Sequence, residues 1–81
     1  YNSIYSILMN RLFDCVKDKI ANIRLVLSKS LKQIILSKPA LMNFRSNINN
    51  LTIEEVLRIL ERDDDSDVKF YAIDALKEIV N

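Results

Sequence analysis

Histidine is absent from the 81 residues and cysteine occurs once, at Cys15, which removes the side chains on which most catalytic and metal chemistry leans. Zinc sites draw on several Cys or His ligands, and the common acid–base and nucleophilic arrangements lean on His. An enzyme is not expected. The densest chemical feature is the acidic run Asp63, Asp64, Asp65, Ser66, Asp67. Asp63, Asp65 and Asp67 match the first ligand positions of a helix–loop–helix calcium loop. The sixth position, however, is Val68 rather than Gly, and a helical pattern begins where such a loop must keep wrapping. No metal and no cofactor are therefore expected, and the run reads as a solvated turn that favours the next helix through its dipole. Cys15 lies on an apolar stripe and reads as a small buried hydrophobe, with Lys17 and Lys19 near enough to keep a redox reading open. A lone thiol forms no internal disulfide, which fits a reducing compartment, cytoplasmic and also nuclear.

The elements that position these groups are helices. The chain has no Gly and one Pro, where an average domain of this length carries about six Gly, so an all-β fold is not expected. The set Ile4, Ile7, Leu8, Leu12, Cys15 and Val16 is an amphipathic stripe that predicts a helix over about 3–17. Ile20, Ile23, Leu27, Leu31, Ile34 and Ile35 predict a second over about 19–36, with Asp18 as its cap and Pro39 as its stop. Two helices joined so tightly pack antiparallel. Residues 37–50, rich in Ser and Asn, read as a linker with a turn of helix holding Leu41, Met42 and Phe44 against the core. Thr52 and Glu55 make a T-x-x-E capping box, with Leu51 and Val56 as its hydrophobic staple. A third helix over about 53–62 carries Ile53, Val56, Leu57 and Leu60 inward. A fourth, over about 66–80, carries Val68, Ala72, Ala75, Leu76, Ile79 and Val80.

The chain repeats itself. Laying the segment from Asp18 over the one from Asp63, at a constant offset of 45 residues, pairs Ile23 with Val68, Arg24 with Lys69, Leu31 with Leu76, Lys32 with Lys77 and Ile34 with Ile79. The small residues Ser30 and Ala75 also correspond, where helices would approach closely. Two helices per unit of about 40–47 residues is the signature of HEAT or armadillo repeats. The expected fold is all-α, two HEAT-type hairpins (1–36 and 51–81) stacked as part of an α-solenoid.

An Asp followed six residues later by Arg or Lys, directly after an aliphatic residue, resembles the core of the HEAT motif. It occurs twice, at Asp18 with Ile23 and Arg24 and at Asp63 with Val68 and Lys69. The wording ANIRLVLSKSL and DSDVKFYAIDAL resembles the last two HEAT repeats of the scaffold (A) subunit of type 2A serine/threonine protein phosphatase, over roughly residues 8–36 and 51–80. Lys19 departs from that pattern, where a Pro is common, and the linker is longer than usual. The resemblance implies a non-catalytic scaffold whose intra-repeat turns hold the phosphatase catalytic subunit, with a regulatory subunit on other repeats. By position, those turns are Lys19, Ile20, Ala21 and Asn22 in the first repeat and Asp64, Asp65, Ser66 and Asp67 in the second. Ile20 is either an exposed apolar anchor or a cap on the hairpin core from inside. Asp18, Arg24, Asp63 and Lys69 are expected to form a ladder between repeats, for instance Arg24 toward Asp63. Arg24→Ala would then lower stability slightly and leave partner affinity nearly unchanged.

Charge divides the chain. Residues 1–50 hold eight basic and two acidic side chains, a balance of +6, and residues 51–81 hold four basic and nine acidic ones, a balance of −5. That polarity suits stacking of unlike units or a charged protein partner. The basic residues are spread around both helices and sit beside an acidic unit, so a nucleic-acid-binding helical repeat stands only as an alternative, as does an adaptor of transport or chromatin. Tyr5, Phe13, Phe70 and Tyr71 read as packing residues rather than a platform for bases. No apolar run reaches the roughly 18 residues of a membrane span, and no signal-peptide pattern opens the chain. Starting at Tyr1, it reads as a fragment of a longer solenoid. Its first hairpin should present an open face near Tyr1, Tyr5 and Met9, covered by a preceding repeat or by self-association.

Overall fold

The computed structural model describes residues 3–47 and 50–80. Among these, four α-helices carry the fold: α1 Ser3–Asp14, α2 Ala21–Ser37, α3 Ile53–Leu60 and α4 Ser66–Val80, with 3-10 turns at Cys15–Lys17 and Pro39–Asn43. No strand occurs among the described residues. Lys38, at the end of α2, lies 5.1 Å from the ring of Tyr5 near the start of α1, so α1 and α2 run antiparallel around the turn at 15–20. The first and third turns of α2 pair with Asp63 and Asp74, so α2 and α4 run side by side in the same direction. The molecule is two stacked helix hairpins of the HEAT type.

α2 starts two residues later than the apolar spacing predicts. Its N-cap is Ile20, in extended conformation and with no side chain to cap; the Asp18 carboxylate accepts from the Ile20 N–H, at 2.9 Å, rather than from the N–H groups of the first turn. At the other end Pro39 biases Lys38 out of the helical region, and the Lys38 N–H closes the last turn on Ile34 O at 2.7 Å. α3 ends at Leu60, with Glu61 and Arg62 in the turn. Its capping box is complete, Thr52 Oγ1 accepting from Glu55 N and Glu55 Oε1 from Thr52 N, both at 3.3 Å. Thr52→Ala is expected to lower stability by about 1 kcal/mol in a urea melt, with the slope unchanged; a loss within error would show that α3 is held by packing only.

The core joins both hairpins. Met9, Phe13 and Val16 of the first helical segment meet Leu27, Leu31 and Ile35, then Ile53, Val56, Leu57, Leu60, Val68, Ala72, Ala75 and Leu76. This rotates α1 from the orientation its aliphatic stripe suggests. Ile4, Ile7 and Leu8 are 73%, 57% and 49% exposed, while Met9 is fully buried. The residues expected on an open face do not form one: Met9 is buried and Tyr5 is half-buried and packed against the core, Tyr1 lies outside the described residues, and the exposed aliphatics are instead Ile4, Ile7 and Leu8 of the expected inner stripe. Phe13 decides the rotation: its ring stacks edge-on against Phe44 at 5.9 Å, and the helix turns to bring both rings inside. The close-packed small residues are Ser28, Ala72 and Ala75, all fully buried, whereas Ser30 is only half-buried. The Ser28 hydroxyl is satisfied by its own helix, donating to Arg24 O at 3.2 Å. On α4, Ile79 is half-buried; the side chain of Val80 lies outside what is described.

Residues 38–47 are more than a spacer. Leu41 and Phe44 are buried, with Met42 packed beside them. Buried Ser46 exchanges bonds with Leu51 (Ser46 N to Leu51 O, 3.0 Å; Leu51 N to Ser46 Oγ, 3.1 Å). Asn50 takes the left-handed region at φ 55°, which Asn tolerates better than most residues. Asn10 of α1 accepts the Asn47 N–H at 2.9 Å, fastening the segment to the first helix.

Candidate protein-binding ridge

The two intra-repeat turns lie next to each other because α2 and α4 stack in register. Both use the same local device, an Asp carboxylate accepting the N–H two residues on: Asp18 from Ile20, and Asp63 from Asp65, each at 2.9 Å. The second turn goes further. Asp65 Oδ1 also accepts from Asp67 N at 2.9 Å and Val68 N at 3.1 Å, capping α4 where free N–H groups need acceptors. Oxygens of Asp63 and Asp65 thus accept from backbone and guanidinium donors.

Arg24 welds the turns together. Its Nε and Nη2 donate to the two oxygens of Asp63 at 2.7 and 3.1 Å, and its Nη1 donates to the carbonyl of Asp18. The fork matches the carboxylate geometry of a bidentate pair. Bonding to Arg24 holds the Asp63 carboxyl below its ordinary value of 3.8 against the opposing effect of burial, and bonding to Asp63 raises the Arg24 guanidinium in turn. A second cross-repeat pair joins Lys32 to Asp74 at 2.6 Å and raises the Lys32 ammonium. Lys69, the positional counterpart of Arg24, is exposed and makes no ion pair among the described residues.

Between the turns lies an open groove of about 390 Å³ lined by Lys17, Asp18, Lys19, Arg24, Arg62, Asp63 and Asp64. Of the turn residues marked in the sequence, Lys19 and Asp64 line it. Ile20 and Asn22 are exposed beside it, Ala21 is half-buried, and Ser66 and Asp67 are exposed at the start of α4. Lys17 and Arg62 were not marked as partner-binding by sequence, yet they too are counterparts at the 45-residue offset; carrying the alignment one position back from Asp18 and Asp63 pairs them. Lys17, Lys19 and Arg62 have no ion pair among the described residues, so the groove presents free cations beside Asp64.

Ile20 is 58% exposed, so it does not close the hairpin core from inside. At the offset of 45 it occupies the position of Asp65, the residue that caps α4. The first repeat has an exposed aliphatic side chain at the place where the second has its helix cap. Phe70 is also exposed, at 62%, edge-on to Tyr71 at 5.2 Å, whereas Phe13 is buried and Tyr5 and Tyr71 are half-buried.

The chain is thus a helical-repeat module, a stacked pair of HEAT-type hairpins with polar turns and the exposed Ile20 between them. No family model matches the chain, and no solved structure matches it. Over 65 residues, 80% of its length, it is 34% identical to serine/threonine-protein phosphatase 4 regulatory subunit 1 of Homo sapiens, and equally to the proteins of that name from Mus musculus and Rattus norvegicus. The chain spans about 7% of the length of these curated relatives. The similarity is thus to a phosphatase regulatory subunit, and it does not single out the type 2A scaffold subunit. No helix among the described residues is long and apolar enough to cross a membrane.

Proposed function

We propose that this chain is a non-catalytic scaffold segment that holds the catalytic subunit of a type 2A-like serine/threonine phosphatase on the ridge formed by its two intra-repeat turns, in the cytoplasm and nucleus. The observation that carries the reading is Ile20. An N-cap position prefers Asp, Asn, Ser or Thr, and the homologous position in the second repeat has Asp65; an exposed Ile there forgoes a helix cap and supplies an apolar anchor between the exposed polar residues Lys19 and Asn22. The likeness to phosphatase 4 regulatory subunit 1 supports a phosphatase partner, and the type 4 catalytic subunit enters beside the type 2A one. Other HEAT-repeat adaptors share the fold without sharing that likeness.

Ile20→Asp separates folding from binding. Copying the Asp65 cap into α2 should stabilise the chain by about 0.5–2 kcal/mol while weakening partner affinity at least about tenfold. The assay is calorimetric titration with purified type 2A and type 4 catalytic subunits in parallel, together with thermal melts. A higher melting point with unchanged affinity would remove Ile20 from the interface, and absence of binding to either subunit by the parent chain would remove the phosphatase reading. A nucleic-acid role is disfavoured because three of the eight basic side chains before residue 51, Arg24, Lys32 and Arg45, are committed to carboxylates.

A further inference from the structure

Arg24 fixes more than its own ion pair. Its guanidinium bonds the carbonyl of Asp18 on one turn and the carboxylate of Asp63 on the other, so the residues just before these two, Lys17 and Arg62, are held in register and line the same groove. Among the described residues neither has a carboxylate within ion-pair distance. Two unneutralised cations in one groove repel each other, a cost that an anion between them removes. The missing charge can be counted. Four cations line the groove, Lys17, Lys19, Arg24 and Arg62, against three carboxylates, Asp18, Asp63 and Asp64. Both oxygens of Asp63 accept from Arg24, and Asp18 Oδ1 accepts from the Ile20 N–H. Asp64 offsets Lys19, its counterpart at the 45-residue offset, which leaves an excess of one positive charge at Lys17 and Arg62. One carboxylate balances that excess, whereas a phosphate dianion beside three aspartates overshoots it.

We propose that Lys17 and Arg62 form a clamp for one carboxylate of the docked protein partner, an Asp or Glu side chain next to the apolar residue that meets Ile20. The assignment rests on the ridge reading above and names the chemistry the partner must bring. Arg62 supplies a planar fork that takes both carboxylate oxygens, and Lys17 supplies a point charge with three donors. Ile20 stands exposed three residues beyond Lys17, so the ridge selects an apolar side chain flanked by an acid. A basic residue at that flank meets like charge and is rejected.

Two measurements on the 81-residue chain test the clamp. In the first, the isotope-labelled chain is titrated with the blocked peptide acetyl-Leu-Glu-Glu-Leu-amide and followed by nuclear magnetic resonance. Saturable shifts of the Arg62 Nε–H and the Lys17 backbone N–H are expected, absent with the Leu-Gln-Gln-Leu analogue and lost with Arg62→Ala. Shifts that the Gln peptide also produces, no shifts with either, or tighter binding of an analogue carrying phosphoserine in place of Glu would overturn the proposal. In the second, calorimetric titration with the type 2A and type 4 catalytic subunits compares the parent with Lys17→Glu plus Arg62→Glu, and with Lys69→Glu plus Lys77→Glu, an equal change of charge at exposed positions outside the groove. The first pair should weaken affinity at least about tenfold and the second less than about threefold, with both melting midpoints within about 3 °C of the parent's. Equal losses for the two pairs, or none for either, overturn the clamp and leave the ridge reading in place. A parent chain that binds neither subunit removes the ridge reading instead, and the peptide titration then decides the clamp.

Discussion

Replacing Phe13 with alanine is expected to abolish the cooperative thermal transition, or to lower its midpoint by more than about 15 °C, followed by far-ultraviolet circular dichroism. Phe13 is 1% exposed and edge-on to Phe44. Truncating a buried Phe costs about 3–5 kcal/mol, and the aromatic pair adds about 0.5–1.5 kcal/mol beyond area. An 81-residue chain has about 4–12 kcal/mol in total at ordinary per-residue stability. The loss is large on that scale because Phe13 joins α1 to the segment after Pro39, and both detach together. Ile7→Ala is the matched control. The aliphatic spacing of the first helix puts Ile7 in the core, yet it is 57% exposed and its truncation should stay within about 0.5 kcal/mol. If Ile7→Ala proved as damaging as Phe13→Ala, the rotation of α1 would be wrong.

Arg24→Ala is expected to lower the melting midpoint by about 5–10 °C at pH 7, more than an exposed ion pair would. The sequence suggests a weak surface rung, but the Arg24 and Asp63 side chains are only 17% and 11% exposed. Removing the guanidinium strands a covered carboxylate and also frees the carbonyl of Asp18. The pH dependence follows from the depressed Asp63 carboxyl. A group held lower in the folded state stabilises fully above its ordinary value of 3.8 and loses that contribution as pH falls through its folded value. The midpoint difference between parent and Arg24→Ala should therefore be full at pH 7 and 5 and shrink below about pH 4. A difference that persists unchanged at pH 2 would mean that Arg24 acts through packing of its stem rather than through its charge.

The spacing of apolar residues, the T-x-x-E box and the single Pro determined where helices stand, because these are local matters of period, capping and a missing N–H. Ile53, Val56, Leu57 and Leu60 are buried as read, since α3 has one apolar stripe and no other way to turn. The 45-residue offset likewise made the pairing of Arg24 with the second repeat's Asp63 legible before any coordinates. What the tertiary structure decided is which of two available faces each helix buries. α1 has apolar residues on more than one face, and packing against residues distant in the chain, Phe44 31 positions from Phe13 among them, buries Phe13 and Met9 while Ile4, Ile7 and Leu8 stay exposed. The start of α2 belongs to the same class: Asp18 resembles a cap, but its carboxylate is taken by Ile20 N and its carbonyl by Arg24, leaving Ile20 at the cap position and in solvent. Local signals fix the period of a segment, whereas the choice of face and the exposure of a turn residue depend on partners distant in sequence.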